Sequence, residues 1–293
     1  MNCGHVALIG RPNVGKSTLM NHLLKQKISI TSRKPQTTRH RILGISTSDK
    51  GQVIYLDTPG MHHSEQRALN RYLNRTADTT LLGVDVIVWL IDGLVWHEYD
   101  DIILKKLEQA GLPVILAVNK VDKIKDKEAI LAFFAEAQRR FPFECLLPIS
   151  ALKGTNLEQL ESSLLTLLPE SALIYPEDQV TDRSERFLCA EIVREKLTRR
   201  LGDELPYSLT VQVELYEELP HVTKIYIVIW LERVSQKNIV IGTDGEMLKK
   251  IGTDARLDME KLIGQKVFLK LWVKVKKGWS DNERALLSLG FNE

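Results

Sequence analysis

Short runs of consecutive apolar residues alternate with amphipathic stretches over roughly the first 168 residues of the chain. Apolar runs without alternation are typical of strands buried on both faces, and an apolar residue every three or four positions is typical of helices. The pattern predicts strands over 5–9, 42–47, 53–56, 86–91, 114–118 and 143–148, and helices over 16–25, 66–79, 100–110, 127–139 and 156–167.

This order of elements predicts an α/β domain over 1–168, with a mostly parallel sheet and helices on both faces. A polar stretch over 169–181 contains Pro169 and Pro176 and has no periodicity, so we interpret it as a linker. A second, α+β domain is expected over 182–293. Its predicted elements are a helix from Asp182 or Ser184 to 201, strands over 207–216 and 222–232, a short apolar strand over 238–241, a helix over 246–262 and a strand over 266–275.

Composition restricts the class of protein. The chain has 293 residues, 44% of them hydrophobic and 27% charged, which matches a globular protein of two domains and excludes a largely disordered one. Its longest apolar runs are too short to span a bilayer, and its first residues do not resemble a signal peptide. Three cysteines without CxxC spacing suggest a reduced, cytoplasmic compartment. The net charge of +2 indicates no partner by itself.

Residues 10–17 read Gly-Arg-Pro-Asn-Val-Gly-Lys-Ser, directly after one predicted strand and directly before a predicted helix. Glycines at both ends let the backbone wrap a phosphate, and the helix N-terminus adds positive potential. We expect Lys16 to reach the β- and γ-phosphates and Ser17 to ligate Mg²⁺. The alternative is an ordinary glycine-rich turn, which has no need of Lys16 and Ser17.

A second motif, Asn-Lys-Val-Asp over 119–122, follows the strand at 114–118 and suggests which base is bound. A carboxylate at Asp122 can accept from N1–H and the 2-amino group of guanine, a pair that adenine lacks. We expect Asn119 to brace the phosphate loop and Lys120 to cover the purine. Ser-Ala-Leu over 150–152 follows the next strand and supplies a backbone N–H, which we assign to Ala151, for the guanine O6.

Asp-Thr-Pro-Gly over 57–60 ends another predicted strand. There Asp57 would hold Mg²⁺ through water, and the Gly60 N–H would sense a γ-phosphate. The basic stretch 31–41 contains two threonines, of which we favour Thr38 over Thr37 as a Mg²⁺ ligand. The predicted metal set is therefore Ser17, Thr38 and Asp57. The residues expected to bind GTP are Gly10, Arg11, Pro12, Asn13, Val14, Gly15, Lys16, Ser17, Thr18, Asp57, Thr58, Pro59, Gly60, Met61, Asn119, Lys120, Val121, Asp122, Ser150, Ala151 and Leu152.

The second domain contains Ile-Gly-Thr-Asp-Gly over 241–245 at the start of a predicted helix, which matches the IGxxG pattern of KH domains. Such a loop lets an RNA backbone approach a helix N-terminus. Asp244 departs from the basic or small residues common there, and its charge repels phosphate. From 249 to 277 there are nine basic and three acidic residues by count. The residues expected to bind RNA are Gly242, Thr243, Gly245, Lys249, Lys250, Lys270, Trp272, Lys274 and Lys276.

Together these motifs resemble those of the translation-factor class of P-loop GTPases, and the segments 10–17 and 36–40 are most similar to bacterial Era-type GTPases. The resemblance covers the whole chain, because these proteins join such a domain to a C-terminal type II KH domain. It implies a GTP-hydrolysing switch protein that binds 16S rRNA near its 3′ end and the 30S subunit during ribosome biogenesis. It also implies a monomer in the cytoplasm, loosely associated with the inner membrane, although the sequence shows no anchor.

The resemblance also bears on catalysis. Many related GTPases place glutamine after Asp-x-x-Gly to orient the attacking water, and here that position is Met61. We therefore assign no general base, expect a slow intrinsic rate, and treat Lys16 and Asn13 as supporting residues. Asn13 resembles the asparagine that in relatives helps to hold K⁺.

Two other functions remain open at this point. The chain is alternatively an RNA-binding adaptor whose nucleotide domain is structural and barely turns over, or an Era-like GTPase that serves RNA modification. Phosphate release with and without RNA distinguishes the adaptor from the switch protein. The sequence shows no additional catalytic domain that would support RNA modification.

Overall fold

The computed structural model describes residues 1–32, 34, 37–59, 68–80, 83–202 and 205–291. These residues form two compact units. The first comprises Met1–Ser29, 38–59 and Leu73–Asp182, apart from the undescribed positions. The second comprises the described chain from Arg183 onwards, together with the described residues among 30–37 and 68–72.

The first unit is built on a six-stranded sheet with the order β2-β3-β1-β4-β5-β6. Only β2 runs antiparallel to its neighbour, so the sheet is mostly parallel, as predicted. The strands are β1 (Asn2–Ile9), β2 (Ile42–Ser48), β3 (Gly51–Asp57), β4 (Val86–Asp92), β5 (Val114–Asn119) and β6 (Cys145–Pro148). The helices of this part of the chain are α1 (Lys16–Leu23), α2 (Ala68–Thr79), α3 (Glu98–Ala110), α4 (Glu128–Arg140) and α5 (Leu157–Leu167).

The central strands explain why the apolar runs have no alternation. Every residue of β5 and all but the last of β4 are buried, because helices cover both faces of the sheet. Strand β1 starts three residues earlier than predicted, since Asn2 pairs in parallel register with Gly51. Backbone pairing thus extends beyond the apolar run that marked the strand. The predicted start of α2 at 66 lies outside the described residues.

The second unit has a three-stranded sheet with the order β7-β8-β9, in which β9 lies at one edge and runs parallel to β8. Its core lies between this sheet and two long helices, whose inward residues are buried aliphatic side chains and Cys189. The elements are α6 (Glu185–Arg200), β7 (Leu209–Leu219), β8 (Val222–Leu231), α7 (Val234–Ile241), α8 (Glu246–Ile263), β9 (Val267–Val275) and α9 (Glu283–Ser288). Ser184 caps α6 by accepting a hydrogen bond from the Phe187 N–H at 3.3 Å.

The short strand predicted over 238–241 is wrong, because these residues form the last turn of helix α7. The Gln236 side chain accepts a hydrogen bond from the Arg233 N–H at 2.9 Å and closes the first turn of the helix. Within the apolar run Val240 is buried and Ile239 is 54% exposed, so only part of the run faces the core. Gly242, with φ of 75°, then ends the helix.

Candidate functional site

The loop between β1 and α1 needs glycine at both ends. Gly10 has φ of 144°, and a Cβ there would lie 2.3 Å from the carbonyl oxygen of Leu90. Gly15 has φ of 108°, and a Cβ there would lie 2.3 Å from the side-chain nitrogen of Asn119. The chain therefore turns tightly into the N-terminus of α1, a geometry that presents successive backbone N–H groups to an anion.

Lys16 begins α1 and lies inside this loop. Its Nζ donates to the carbonyl oxygens of Gly10 at 2.9 Å and Arg11 at 3.1 Å. Burial lowers the pKa of Lys16 to about 8, against the opposing effect of the negative charge of Asp57. The ammonium group is thus held away from water at the position where a polyphosphate enters the loop.

Three hydroxyl groups surround the carboxylate of Asp57, at the end of β3. Its Oδ2 accepts from the Oγ of Ser17 at 2.7 Å, the Oγ of Ser29 at 2.8 Å and the Oγ1 of Thr38 at 3.3 Å. The Ser17 and Thr38 hydroxyls also lie 2.9 Å apart. The hydroxyl of Thr37 instead donates to the carbonyl oxygen of Lys34 at 2.6 Å. The structure therefore brings together the three predicted metal residues, with Thr38 rather than Thr37 at the site.

The second oxygen of Asp57, Oδ1, is buried and has no hydrogen-bond partner in the described part of the chain. Burial raises the pKa of Asp57, and the hydroxyls and Lys16 oppose this effect. A desolvated carboxylate with a free oxygen beside two hydroxyls is a donor set suited to a hard cation. These residues fit Mg²⁺.

Asn119, the last residue of β5, joins the phosphate loop to the segment after β6. Its Nδ2 donates to the carbonyl oxygen of Val14 at 2.7 Å, which is the bracing role expected for it. Its Oδ1 accepts from the backbone N–H of Ala151 at 2.9 Å. The N–H that was predicted to donate to guanine thus donates to Asn119 in this structure, and its contact with guanine stays a prediction.

Asp122 lies beside Ser150, whose Oγ donates to its Oδ1 at 2.6 Å. This hydrogen bond lowers the pKa of the exposed Asp122 carboxyl group. The carboxylate is therefore ionised at neutral pH and can accept two hydrogen bonds from a base edge. The predicted base reader and the 150–152 segment thus lie together.

The sequence motifs did not reveal a network of ion pairs at this site. Lys120 Nζ lies 2.8 Å from Asp92 Oδ2 and donates to the carbonyl oxygen of Asn13 at 2.8 Å. Arg11 contacts Asp92 at 3.4 Å and the fully buried Asp100 at 3.1 Å. Asp92 ends β4, next to β1 and β5 in the sheet, so the topology of parallel strands was the signal that could have located it.

The remaining predicted GTP-binding residues differ in burial. Thr58 is buried and its hydroxyl donates to the carbonyl oxygen of Leu8 at 3.1 Å, whereas Leu152 is exposed. Gly60 and Met61 lie outside the described residues. Pro12 lies in the loop between β1 and α1, Thr18 in the first turn of α1, Pro59 two residues after β3 and Val121 two residues after β5.

In the second unit, the predicted RNA loop leads into a groove between α8 and β9. Gly245 has φ of 79° and open space around it, and α8 begins at the next residue. Among the residues expected to bind RNA, Gly245 and Lys249 line this groove, while Lys250 pairs with Glu246 at 3.4 Å. The groove has a volume of about 400 Å³ and is lined by Gly245, Leu248, Lys249, Gly252, Thr253, Arg256, Leu269 and Leu271.

The structure does not bring the β9 residues of the RNA set to this groove. Leu269 and Leu271 face the groove, so the alternating Lys270 and Trp272 face the other side of the sheet. Lys274 is on that side too and pairs with Glu214 at 2.8 Å. The predicted RNA-binding residues therefore belong to two separate surfaces.

Comparison with known proteins agrees with both units. The family described as "50S ribosome-binding GTPase" matches residues 5–120, and the KH domain family matches residues 204–280. GTPase Era of Marinobacter nauticus is 55% identical over 291 residues, covering 99% of this chain and 95% of the relative. GTPase Era of Pseudomonas aeruginosa strain PAO1 is 52% identical over the same length, with the same coverage.

Two solved structures match the whole chain. One is a variant of Aquifex aeolicus Era bound to GDP and aluminium fluoride, and the other is Era in complex with MgGDPNP and nucleotides 1506–1542 of 16S ribosomal RNA. Each has a TM-score of 0.97, 38% identity and full coverage of both chains. The fold and the site define a P-loop GTPase joined in one chain to a KH domain. More particularly, the chain belongs to the GTPase Era family.

Proposed function

We propose that this chain is a GTP-driven switch that binds 16S rRNA near its 3′ end, on the 30S subunit, during ribosome biogenesis. The observation that supports RNA binding is the groove between α8 and β9, where Lys249 and Arg256 flank an apolar floor behind a glycine loop. Arg256 also pairs with Glu260 at 2.7 Å, so of these two cations Lys249 is the one that no carboxylate among the described residues neutralises. Cations beside an apolar floor suit the phosphates and base faces of unpaired RNA. The related Era complex with nucleotides 1506–1542 supports this choice of RNA.

Hydrolysis in this site depends on positioning and charge. We propose that Ser17, Thr38 and Asp57 hold Mg²⁺, with Ser29 orienting the carboxylate of Asp57. When bound, the ion neutralises charge on the transferring phosphoryl group. Lys16 and the N-terminus of α1 contribute positive potential on the phosphate side. Because Met61 provides no group that orients water, the basal rate is slow.

We further propose that Asn13 supports binding of K⁺ at the phosphate loop, where additional positive charge would compensate for Met61. Asn13 has φ of 65° and its carbonyl oxygen accepts from Lys120, so its position in the loop is fixed. We also propose a cytoplasmic monomer that associates peripherally with the inner membrane. No helix in the described ranges is both long and apolar enough to cross a bilayer.

RNA binding in the groove is tested with a double variant, Lys249→Ala with Arg256→Ala. Fluorescence anisotropy would measure binding of the 1506–1542 fragment of 16S rRNA at several salt concentrations. Each lost phosphate contact lowers the slope of log affinity against log salt by about one. The control variant, Lys237→Ala with Lys261→Ala, removes two cations of the same unit outside the groove lining. Equal affinities and slopes for the two variants would contradict the assignment of the groove.

A further inference from the structure

The β7-β8-β9 sheet has a second face, on the side away from α6 and α8. The residues of β8 that face these helices, Ile225, Ile227 and Ile229, are fully buried in the core. The alternating residues of β8 and β9 lie on the other side of the sheet, which the two helices do not cover. This side carries Tyr226 on β8.

Three rings form a cluster on this side, which we call the aromatic face: Tyr226, Phe268 and Trp272. The ring centroids of Tyr226 and Trp272 are 5.4 Å apart and those of Tyr226 and Phe268 are 6.4 Å apart, both in edge-to-face geometry. Phe268 is 48% exposed, and the other two rings are half-buried. One exposed ring and two half-buried rings thus form a contiguous apolar patch, and such patches are typical of binding surfaces.

The ammonium group of Lys270 lies near two of these rings. Lys270 Nζ lies 5.6 Å from the ring centroids of both Tyr226 and Trp272. Neighbouring lysines are neutralised, since Lys224 pairs with Glu217 and Lys274 with Glu214. In the described part of the chain Lys270 has no carboxylate within ion-pair distance. The aromatic face therefore has an uncompensated positive charge beside flat apolar surfaces.

We propose that the aromatic face is a second RNA site, which stacks an unpaired base on Phe268 and neutralises a phosphate with Lys270. Base stacking on exposed rings next to a cation tolerates any sequence, because every base has a flat face. A protein partner is the other possible occupant, but the uncompensated charge favours an anionic ligand.

The topology also lets one RNA reach both surfaces. Strand β9 is at the edge of the sheet, and its alternate residues face the groove (Leu269, Leu271) and the aromatic face (Lys270, Trp272). A KH groove holds about four nucleotides. A longer RNA bound in the groove therefore has flanking nucleotides that can pass the edge of β9. This inference rests on the proposed RNA binding of the groove, and the two are tested separately.

The first experiment maps contacts on the full, unaltered chain. The 1506–1542 fragment of 16S rRNA is synthesised with 5-bromouridine at its uridines, irradiated with the protein, and the crosslinked peptides are identified by mass spectrometry. We expect crosslinks in the peptide that contains Phe268 and Trp272 and in the one that contains Tyr226. Crosslinks confined to peptides of α8 would overturn the proposal.

The second experiment uses Phe268→Ala with Lys270→Ala. The control, Leu257→Ala with Lys261→Ala, removes an exposed apolar side chain and a lysine from α8. Affinities are measured for the 1506–1542 fragment and for the tightest-binding five-nucleotide segment of it. We expect the first variant to bind the fragment about tenfold more weakly than the control does, because a stacked base and a phosphate contact are lost. Its affinity for the short segment should be unchanged.

If the Phe268→Ala, Lys270→Ala variant binds the long fragment as tightly as the control does, the second RNA site is wrong. This result is also expected if the aromatic face binds a protein instead of RNA. If the unaltered chain bound no five-nucleotide segment measurably, this would contradict the groove itself, and that result differs from failure of the aromatic face. If the variant loses both RNAs, the crosslinking pattern of the unaltered chain decides between the two outcomes.

Discussion

At the scale of single residues, the nucleotide site depends on a few atoms whose partners are fixed. Asp57 accepts three hydroxyl groups on one oxygen, and Asn119 connects Val14 to Ala151 with its two side-chain atoms. Small changes at atoms of this site alter specificity or charge without removing a core residue.

Asp122→Asn should change the base that the protein prefers from guanine to xanthine. The amide offers a donor where xanthine presents a second carbonyl group, and guanine loses two charge-assisted hydrogen bonds. The expected loss for GTP is at least about 1.5 kcal/mol, or tenfold in affinity. Binding of GTP and XTP would be compared by calorimetry. The control is Asp126→Asn in the same loop, and identical nucleotide preference in both variants would contradict the role of Asp122.

Lys16→Met should abolish triphosphate binding and yet stabilise the nucleotide-free first unit. The pKa of Lys16 is lowered from 10.5 to about 8 in the folded state, so the unfolded chain holds more protons between these values. Burial of the charged form therefore costs stability below pH 8, and this cost is lost as the pH rises towards 10.5. The advantage of the variant in free energy of unfolding should be at most about 3 kcal/mol and shrink over this range.

This effect would be measured by denaturant unfolding at several pH values, with the nucleotide-free unaltered chain as the reference. A variant that is less stable at every pH would mean that the hydrogen bonds of Lys16 to Gly10 and Arg11 outweigh its desolvation.

Asn13→Ala should remove any stimulation of hydrolysis by K⁺ while GTP binding stays nearly intact. The loop backbone still supplies its N–H groups to the phosphates after this change. Phosphate release would be measured in KCl and in NaCl at saturating GTP. Equal stimulation in the variant and the unaltered chain would contradict the proposed K⁺ site.

At the scale of elements, the two glycines that flank the start of α8 have different reasons to be glycine. A Cβ at Gly242 would lie 2.7 Å from the Cβ of Met247, whereas a Cβ at Gly245 would meet open space. Both have positive φ. Gly245, with ψ of 7°, is left-handed helical, which costs alanine about 1 kcal/mol or more. Gly242, with ψ of 175°, lies in a region that is essentially restricted to glycine. Gly242→Ala should therefore destabilise the second unit by at least 1 kcal/mol more than Gly245→Ala does.

The unfolding transition of the second unit, followed by circular dichroism in urea, would measure this difference. Gly245→Ala is the reference, because it makes the same replacement three positions away in open space. Equal losses of stability would show that neither the contact with Met247 nor the backbone conformation of Gly242 adds a cost.

The same scale shows why part of the structure could be predicted. Apolar runs at 86–91 and 114–118 identified buried strands because each lies in an alternating order of strands and helices, which is typical of a sheet covered on both faces. The run at 238–241 was too short to distinguish a strand from a helix, and the cap by Gln236 depends on a side-chain contact that no periodicity reveals. Ser29 was missed for a related reason, since it reaches Asp57 across 28 positions and belongs to no motif.

At the scale of the whole molecule, sequence patterns predicted two activities and their order along the chain. They placed residues of α8 and of β9 in one RNA-binding set, because a list of basic residues does not show on which surface each one lies. Alternation along β9 separates Lys270 and Trp272 from Leu269 and Leu271, and the sheet topology shows that only the two leucines line the groove. Membership of the GTPase Era family then connects the nucleotide site and the KH unit within one protein.

The central claim is that RNA in the groove and GTP hydrolysis belong to one switch. Multiple-turnover phosphate release would be measured with and without saturating 1506–1542 fragment, for the unaltered chain and for Lys249→Ala with Arg256→Ala. We expect a slow basal rate in both proteins and a several-fold increase with RNA in the unaltered chain alone. A rate that RNA leaves unchanged, or an increase that survives in Lys249→Ala with Arg256→Ala, would contradict the coupling of RNA binding to hydrolysis.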